Sequence, residues 1–266
     1  TIAIVYNIPE FQQSGLNLTG PILADIFLGK IIFWDDSKIQ ELNPEVKLPH
    51  ARITPIHRSD SAGTTYTFTD YLSKTSNDWK TLVGKGTNVK WKTNAQPASS
   101  GELYVVREIA NSPYSISYLD LGTAVSGKLT FAAIQNADKT NFLIPSLEGA
   151  TESASKASSN LPESIGDWSN TSIVNTSGKN SYPIVSLISV LTYQDLNKIS
   201  ADQDTAKVLV HQIYWEITDG QNVLGPLKLA PLPAQIVELD KRGLSKINFK
   251  GTQLFAYDGF VIKPLE

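Results

Sequence analysis

The stretch Arg58-Ser59-Asp60-Ser61-Ala62-Gly63-Thr64-Thr65 decides how this chain is interpreted. It joins an apolar, strand-like segment at residues 53–56 to a segment with helical spacing that begins near Tyr66. The first N–H groups of a helix have no partner inside the helix and lie at its positive end, so such a junction suits an anion. Arg58 adds a planar set of donors that matches a tetrahedral oxyanion. The stretch therefore predicts an oxyanion site, although the same residue types also serve as ordinary turn and cap residues.

Composition limits the classes of function. The chain has 266 residues, 41% of them hydrophobic, which suffices for one large domain or two lobes. Its net charge of −3 does not favour nucleic acid as a partner. The absence of cysteine excludes disulfides, thiolate catalysis and cysteine-ligated zinc, and no histidine spacing indicates a metal site. We expect no metal and no cofactor.

Short apolar segments alternate with amphipathic ones along the chain, which predicts an α/β architecture. Strands are expected at residues 2–6, 53–56 and 115–119, and a long apolar run at 182–191 also has the composition of a strand. Helices are expected after the motif, from 99 or 100 onward, at 206–217 and from 234 onward. Residues 151–180 are rich in Ser, Asn and Thr and are expected at the surface.

Further motifs occur in a fixed order around the opening stretch. They are Tyr6-Asn7-Ile8-Pro9, Leu28-Gly29-Lys30-Ile31, Trp34-Asp35-Asp36, Leu42-Asn43-Pro44, Tyr182-Pro183-Ile184 and Pro231-Leu232-Pro233. In this order they resemble the phosphate-binding proteins of bacterial and archaeal ABC phosphate transporters, and the resemblance extends to about residue 250. It implies a type II periplasmic-binding-protein fold with two lobes that captures inorganic phosphate without catalysis. Residues 1–181 would form the second ligand-binding lobe, and residues 182–266 the C-terminal part of the first lobe plus a tail.

The resemblance also implies roles for residues of the motif. Arg58 would pair with phosphate and be held by Asp60. The family's Ser-Gly-Thr segment, which binds phosphate through N–H and hydroxyl groups, aligns with Ala62, Gly63 and Thr64. Ala62 departs from this pattern because it keeps the N–H but lacks the hydroxyl.

Other residues are candidates for supporting parts of the same site. Ser61 would replace the hydroxyl that is absent at the next position. Ser99, Ser100 and Gly101 precede a second predicted helix and are further candidates to face the ligand.

The family also has an N-terminal region with a phosphate-contacting aspartate, and this chain is expected to begin after it. That region would then belong to a longer chain, or come from a separate chain or a cleaved segment. We expect the 266 residues alone to bind phosphate weakly or not at all. The resemblance further implies the membrane subunits of an ABC transporter as partners. It places the protein outside the cytoplasm, in the periplasm or at the cell surface, tethered to a membrane through a segment outside these residues.

Two other functions remain open at this stage. A phosphatase or serine hydrolase would use Ser61 or Thr64 as the nucleophile, with His57 beside Arg58, but alternation along a strand sends those two side chains to opposite faces. A surface scaffold subunit would reuse the fold without transport.

The tail offers a surface for the scaffold alternative. Its apolar residues Phe255, Tyr257, Phe260 and Ile262 would either form an added strand or contact a partner. The simpler expectation is that the tail packs on its own lobe.

Overall fold

The computed structural model describes residues 1–92, 96–97, 100–257 and 262–264. The strands are β1 Ile2–Asn7, β2 Asn17–Leu18, β3 Thr54–His57, β4 Gln96–Pro97, β5 Ser115–Asp120, β6 Thr130–Phe131, β7 Ala133–Gln135, β8 Phe142–Leu143, β9 Asn248–Phe249, β10 Thr252–Gln253, β11 Phe255–Tyr257 and β12 Ile262–Pro264. The helices are α1 Gly20–Phe27, α2 Ser37–Gln40, α3 Gly63–Thr75, α4 Asn77–Leu82, α5 Glu102–Asn111, α6 Leu121–Ser126, α7 Leu147–Ala157, α8 Gln203–Ile217 and α9 Ala234–Leu244. The predicted α/β class is confirmed.

The chain forms two compact units. The first contains Thr1–Ser153 and Val174–Ser186, and the second contains Ala154–Ile173 and Leu187–Glu266.

A five-stranded sheet with the order β4-β3-β5-β1-β6 organises the first unit. Strand β3 is parallel to both β4 and β5, whereas β1 is antiparallel to β5 and β6. The carboxyl ends of β4, β3 and β5 therefore meet at one edge of the sheet. From that edge the chain continues into α5, α3 and α6 respectively. In α/β sheets ligands bind at this kind of edge.

Aromatic packing beneath α3 fixes the helix against the sheet. The ring of Phe68 lies 5.0 Å from that of Phe27 in α1 and 4.5 Å from that of Tyr118 in β5. Helices α1 and α3 also meet closely, because a Cβ at Gly20 would lie 2.4 Å from Thr75 Oγ1. A larger residue does not fit at Gly20 without moving one helix.

The second unit packs α8 and α9 against short hairpins. The predicted helix at 206–217 is confirmed within α8, whose buried residues include Ala206, Val210 and Ile213. Phe255 of the tail is fully buried and meets His211 edge-on at 4.9 Å, so this part of the tail packs on its own unit. Strand β11 pairs with β12. Phe260 lies outside the described residues.

The prediction of a strand over residues 182–191 is wrong. Tyr182 is buried and donates a hydrogen bond from its hydroxyl to the Ile2 carbonyl at 2.8 Å, but the run forms no strand. Farther along, Ile188, Val190 and Leu191 are 78%, 61% and 94% exposed. β-Branched residues favour a strand only where a neighbouring strand pairs with them, and among the described residues none does so here.

Helix α5 also begins differently from the prediction. Its first residue is Glu102, and Gly101 occupies the N-cap position with φ 99° and no side-chain cap. Ser100 is exposed and does not cap the helix, while Ser99 lies outside the described residues. Glycine suits this position because its φ falls in the left-handed region.

Candidate functional site

Arg58 lies at the turn between β3 and α3 and is held by Asp60. Its Nε donates to Asp60 Oδ1 at 2.9 Å, and its Nη2 donates to Oδ2 at 2.5 Å. The hydrogen bonds from Arg58 lower the pKa of Asp60 far below its usual value. Asp60 is thus a carboxylate near neutral pH, and the bidentate contact fixes the plane of the guanidinium.

The guanidinium keeps donors for a ligand. Arg58 Nη1 donates to Glu102 Oε1 at 3.4 Å, so the contacts with the two carboxylates use three of the five N–H groups of an arginine. One N–H on Nη1 and one on Nη2 remain. The Arg58 side chain is 14% exposed, so these donors lie in a partly desolvated setting where hydrogen bonds to an anion are strong.

The start of α3 supplies further donors beside Arg58. The N-cap is Ala62, which has extended backbone angles and accepts a hydrogen bond from Tyr66 N. The Ala62 N–H donates to the Thr87 carbonyl at 2.9 Å and is already satisfied. The N–H groups of Gly63, Thr64 and Thr65 follow it, and the helix offers them no acceptor.

Thr64 presents a buried hydroxyl without a partner at this helix start. Its Oγ1 makes no hydrogen bond, although buried polar atoms nearly always make one. The neighbouring Gly63 is exposed, and a Cβ placed on it would meet nothing within 4 Å. The space over Gly63, at the first turn of α3, is therefore open to a ligand.

Tyr118 of β5 contacts both Arg58 and the first turn of α3. Its hydroxyl lies 2.7 Å from Thr65 Oγ1 and accepts a hydrogen bond from the Arg58 N–H at 3.4 Å. Burial raises its pKa to about 12, so the phenol stays protonated. Tyr118 was not predicted from the sequence. Its only signal was an aromatic side chain in a predicted strand.

Ser61 and His57 do not form a catalytic arrangement. Ser61 is exposed, and its Oγ donates to Thr87 Oγ1 at 2.8 Å rather than to a base. His57 Nδ1 lies 2.8 Å from the Arg58 carbonyl, to which it donates, and its ring stacks on Trp91 at 4.6 Å. His57 therefore activates neither Ser61 nor Thr64, whose Oγ1 makes no hydrogen bond.

Two acidic residues that the sequence analysis missed complete the sheet edge. Glu102 starts α5, Asp120 ends β5, and the Gly101 N–H donates to Asp60 Oδ1 at 3.4 Å. Burial raises the pKa of Glu102 to about 7, and a hydrogen bond with Asp120 and the charge of Asp120 add to this effect. Within the described part of the chain, no group of three or more potential ligands could hold a metal ion.

The fold and this sheet edge define an α/β protein of the periplasmic-binding-protein class. Residues 1–208 match the family PBP_like_2, described as the PBP superfamily domain. The chain is 35% identical to the phosphate-binding protein PstS of Methanocaldococcus jannaschii, over 93% of this chain and 64% of that protein. It is 37% identical to PstS of Haemophilus influenzae, over 90% of this chain and 69% of that protein. The chain belongs to the PstS family of phosphate-binding proteins within this superfamily.

A solved structure confirms the fold. The periplasmic phosphate-binding protein PfluDING, solved with bound phosphate, matches with a TM-score of 0.58 at 18% identity, over 88% of this chain and 66% of that chain. The chain thus spans roughly two thirds of the length of these proteins. Among the described residues, no helix is both long and apolar enough to cross a bilayer.

Proposed function

We propose that this chain belongs to an extracytoplasmic solute-binding protein that captures inorganic phosphate for an ABC transporter and does not catalyse a reaction. The observation that carries the proposal is the convergence of unused donors at one sheet edge. Arg58 keeps two N–H groups, α3 begins with N–H groups that lack a helical acceptor, and Thr64 Oγ1 is buried without a partner. Phosphate supplies the several acceptor oxygens that such a set of donors requires.

Each residue of the motif has a part in this proposal. Arg58, Gly63 and Thr64 contact the anion, and Asp60 holds the arginine. Ala62 contributes its small size, because its N–H is bonded to Thr87, and Ser61 supports the same loop through the Thr87 hydroxyl.

The sequence-predicted candidates at the start of α5 keep a secondary place in this proposal. Gly101 acts through its contact with Asp60. Ser100 is exposed beside it and Ser99 lies outside the described residues, so both stay predictions.

The lobe assignment, partners and location are part of the same proposal. We assign residues 1–181 to one ligand-binding lobe and residues 182–266 to part of the other lobe plus the tail. The membrane subunits of an ABC transporter are the proposed partners, and the periplasm or cell surface is the proposed location, with a membrane tether outside these residues. The support is membership of the PstS family and the periplasmic description of PfluDING.

Replacing Thr64 with valine tests the anion site directly. The two side chains have nearly the same shape, and only the unpartnered hydroxyl is lost. We expect the dissociation constant for phosphate to rise about tenfold, as for one hydrogen bond to a charged group, with little change in melting temperature. Isothermal titration calorimetry on the full-length protein, with phosphate and with sulfate, measures this.

Thr67→Val is the matched control for that experiment. Thr67 lies in the same helix, but its hydroxyl already donates to the Gly63 carbonyl at 3.0 Å, so its proton is not available to an anion. Phosphate affinity should be unchanged in this variant. Equal affinities in wild type and Thr64→Val would contradict the placement of the anion at this helix start.

We further propose that a strand from a segment of the full-length protein outside these 266 residues covers the apolar run that includes Ile188, Val190 and Leu191. Their exposure and β-forming composition support this, because long exposed apolar segments favour pairing with another strand. Leu191→Arg should therefore destabilise the full-length protein by about 2 kcal/mol and leave the 266-residue chain unaffected in thermal unfolding. Leu82→Arg, at a site 52% exposed in the first unit, should be neutral in both forms. Equal stability of the full-length protein with and without Leu191→Arg would exclude a cover at this run.

A further inference from the structure

We infer that Glu102 is a positioning residue for Arg58, and that the carboxyl pair it forms with Asp120 links anion binding to one shared proton. This inference rests on the proposed phosphate site. The positioning role of Glu102 follows from the charged groups next to it. Arg58 donates to Glu102 at 3.4 Å on one side and to Asp60 on the other, so Glu102 controls one of the Nη1 donors.

The sheet order brings the pair together. Glu102 follows β4, Arg58 follows β3 and Asp120 ends β5, and these three strands are parallel neighbours. The side chain of Glu102 is 15% exposed. Two ionised carboxylates at such a site repel each other, so one proton is retained between them.

Asp120 is the member of the pair that stays ionised. It caps α6 by accepting hydrogen bonds from Thr123 N at 3.0 Å and Thr123 Oγ1 at 2.5 Å. Burial works to raise its pKa, but the hydrogen bonds from Glu102 and Thr123 hold it below the ordinary value. The retained proton therefore lies on Glu102, which donates it to Asp120.

The other charged groups around the pair set the sign of the effect. They are Arg58 and the Asp60 that Arg58 holds. While Glu102 is protonated, Arg58 carries one compensating carboxylate, Asp60, and attracts the anion. When pH rises through the pKa of Glu102, about 7, the proton leaves to solvent and a second carboxylate competes with the anion for the guanidinium.

The experiment compares phosphate affinity in wild type and Glu102→Gln between pH 5.5 and 8.5, in the full-length protein. Glutamine keeps the acceptor for Arg58 and a donor for Asp120, so it mimics the protonated form. Phosphate itself titrates in this range, but that contribution cancels in the ratio of the two dissociation constants at each pH. We expect this ratio, wild type over variant, to rise from about one at low pH to roughly three- to tenfold at high pH.

Two further measurements separate this inference from the proposed function. Carboxyl ¹³C NMR of the ligand-free protein should show Glu102 titrating near neutral pH, and Asp120→Asn should move that midpoint downward. Glu108→Gln, on the exposed face of the same helix, should change neither readout. A flat ratio of dissociation constants, or a Glu102 carboxyl that titrates at the ordinary value for glutamate, overturns the inference while phosphate still binds. Absence of phosphate binding at every pH overturns the proposed function and the linkage together, even where the NMR midpoint is as expected.

Discussion

Arg58→Ala is expected to abolish measurable phosphate binding. The change removes two charge-assisted hydrogen bonds, each worth about 1.5–3 kcal/mol, so the dissociation constant should rise about 100- to 10,000-fold. It also frees the carboxylate of Asp60, which the arginine holds through two hydrogen bonds. An unpaired negative charge beside the site repels the anion further. Calorimetric titration of the full-length protein with phosphate measures the loss.

Arg58→Lys tests whether the positive charge alone is sufficient for phosphate binding. A lysine keeps the positive charge but is a single point donor, so it cannot hold Asp60 with two bonds and still present a fork of donors to the anion. Binding should remain at least tenfold weaker than in wild type. Arg107→Ala, on the exposed face of α5, is the control and should bind as wild type does. Wild-type affinity in Arg58→Ala would exclude the proposed site.

Local sequence was sufficient for the core of the motif. Arg58 and Asp60 are two positions apart at a strand end, and the structure joins them as the resemblance implies. The start of α3 at Gly63 also lies within the stretch that the sequence analysis selected. Both features depend on neighbours in the chain, which a sequence pattern records.

Features that depend on distant contacts were not predictable in this way. The Ala62 N–H is taken by Thr87, which lies in a loop without periodicity. Glu102 reaches Arg58, and Asp120 reaches Glu102, only because β4, β3 and β5 are adjacent, and strand order is not encoded in local spacing. The run at 182–191 shows that a strand-like composition alone does not produce a strand. Its composition favours a strand, but a strand needs a partner to supply the hydrogen bonds.

Gly63→Val is expected to lower phosphate affinity without lowering the stability of the protein. A Cβ at Gly63 meets nothing within 4 Å, and the residue is not in the left-handed region, so the helix should fold normally. Valine is also a better helix residue than glycine, which makes the free energy of unfolding equal or slightly higher. Its side chain, however, occupies the space over the first turn of α3, where the anion must approach the N–H groups. We expect phosphate affinity to fall about 100-fold, as for the loss of two hydrogen bonds to a charged ligand.

Gly20→Ala is expected to lower the stability of the same protein without removing the anion site. Its new Cβ would lie 2.4 Å from Thr75 Oγ1 at the contact between α1 and α3, so this variant should lose about 1–3 kcal/mol of stability. Denaturant unfolding and phosphate calorimetry on both variants give the comparison. If the anion approaches α3 through the open space at Gly63, Gly63→Val should lose phosphate affinity and keep its free energy of unfolding. Gly20→Ala should instead show a lower free energy of unfolding. Full phosphate affinity in Gly63→Val would show that the anion does not lie over the start of α3, because a branched side chain and a bound oxyanion cannot share that space.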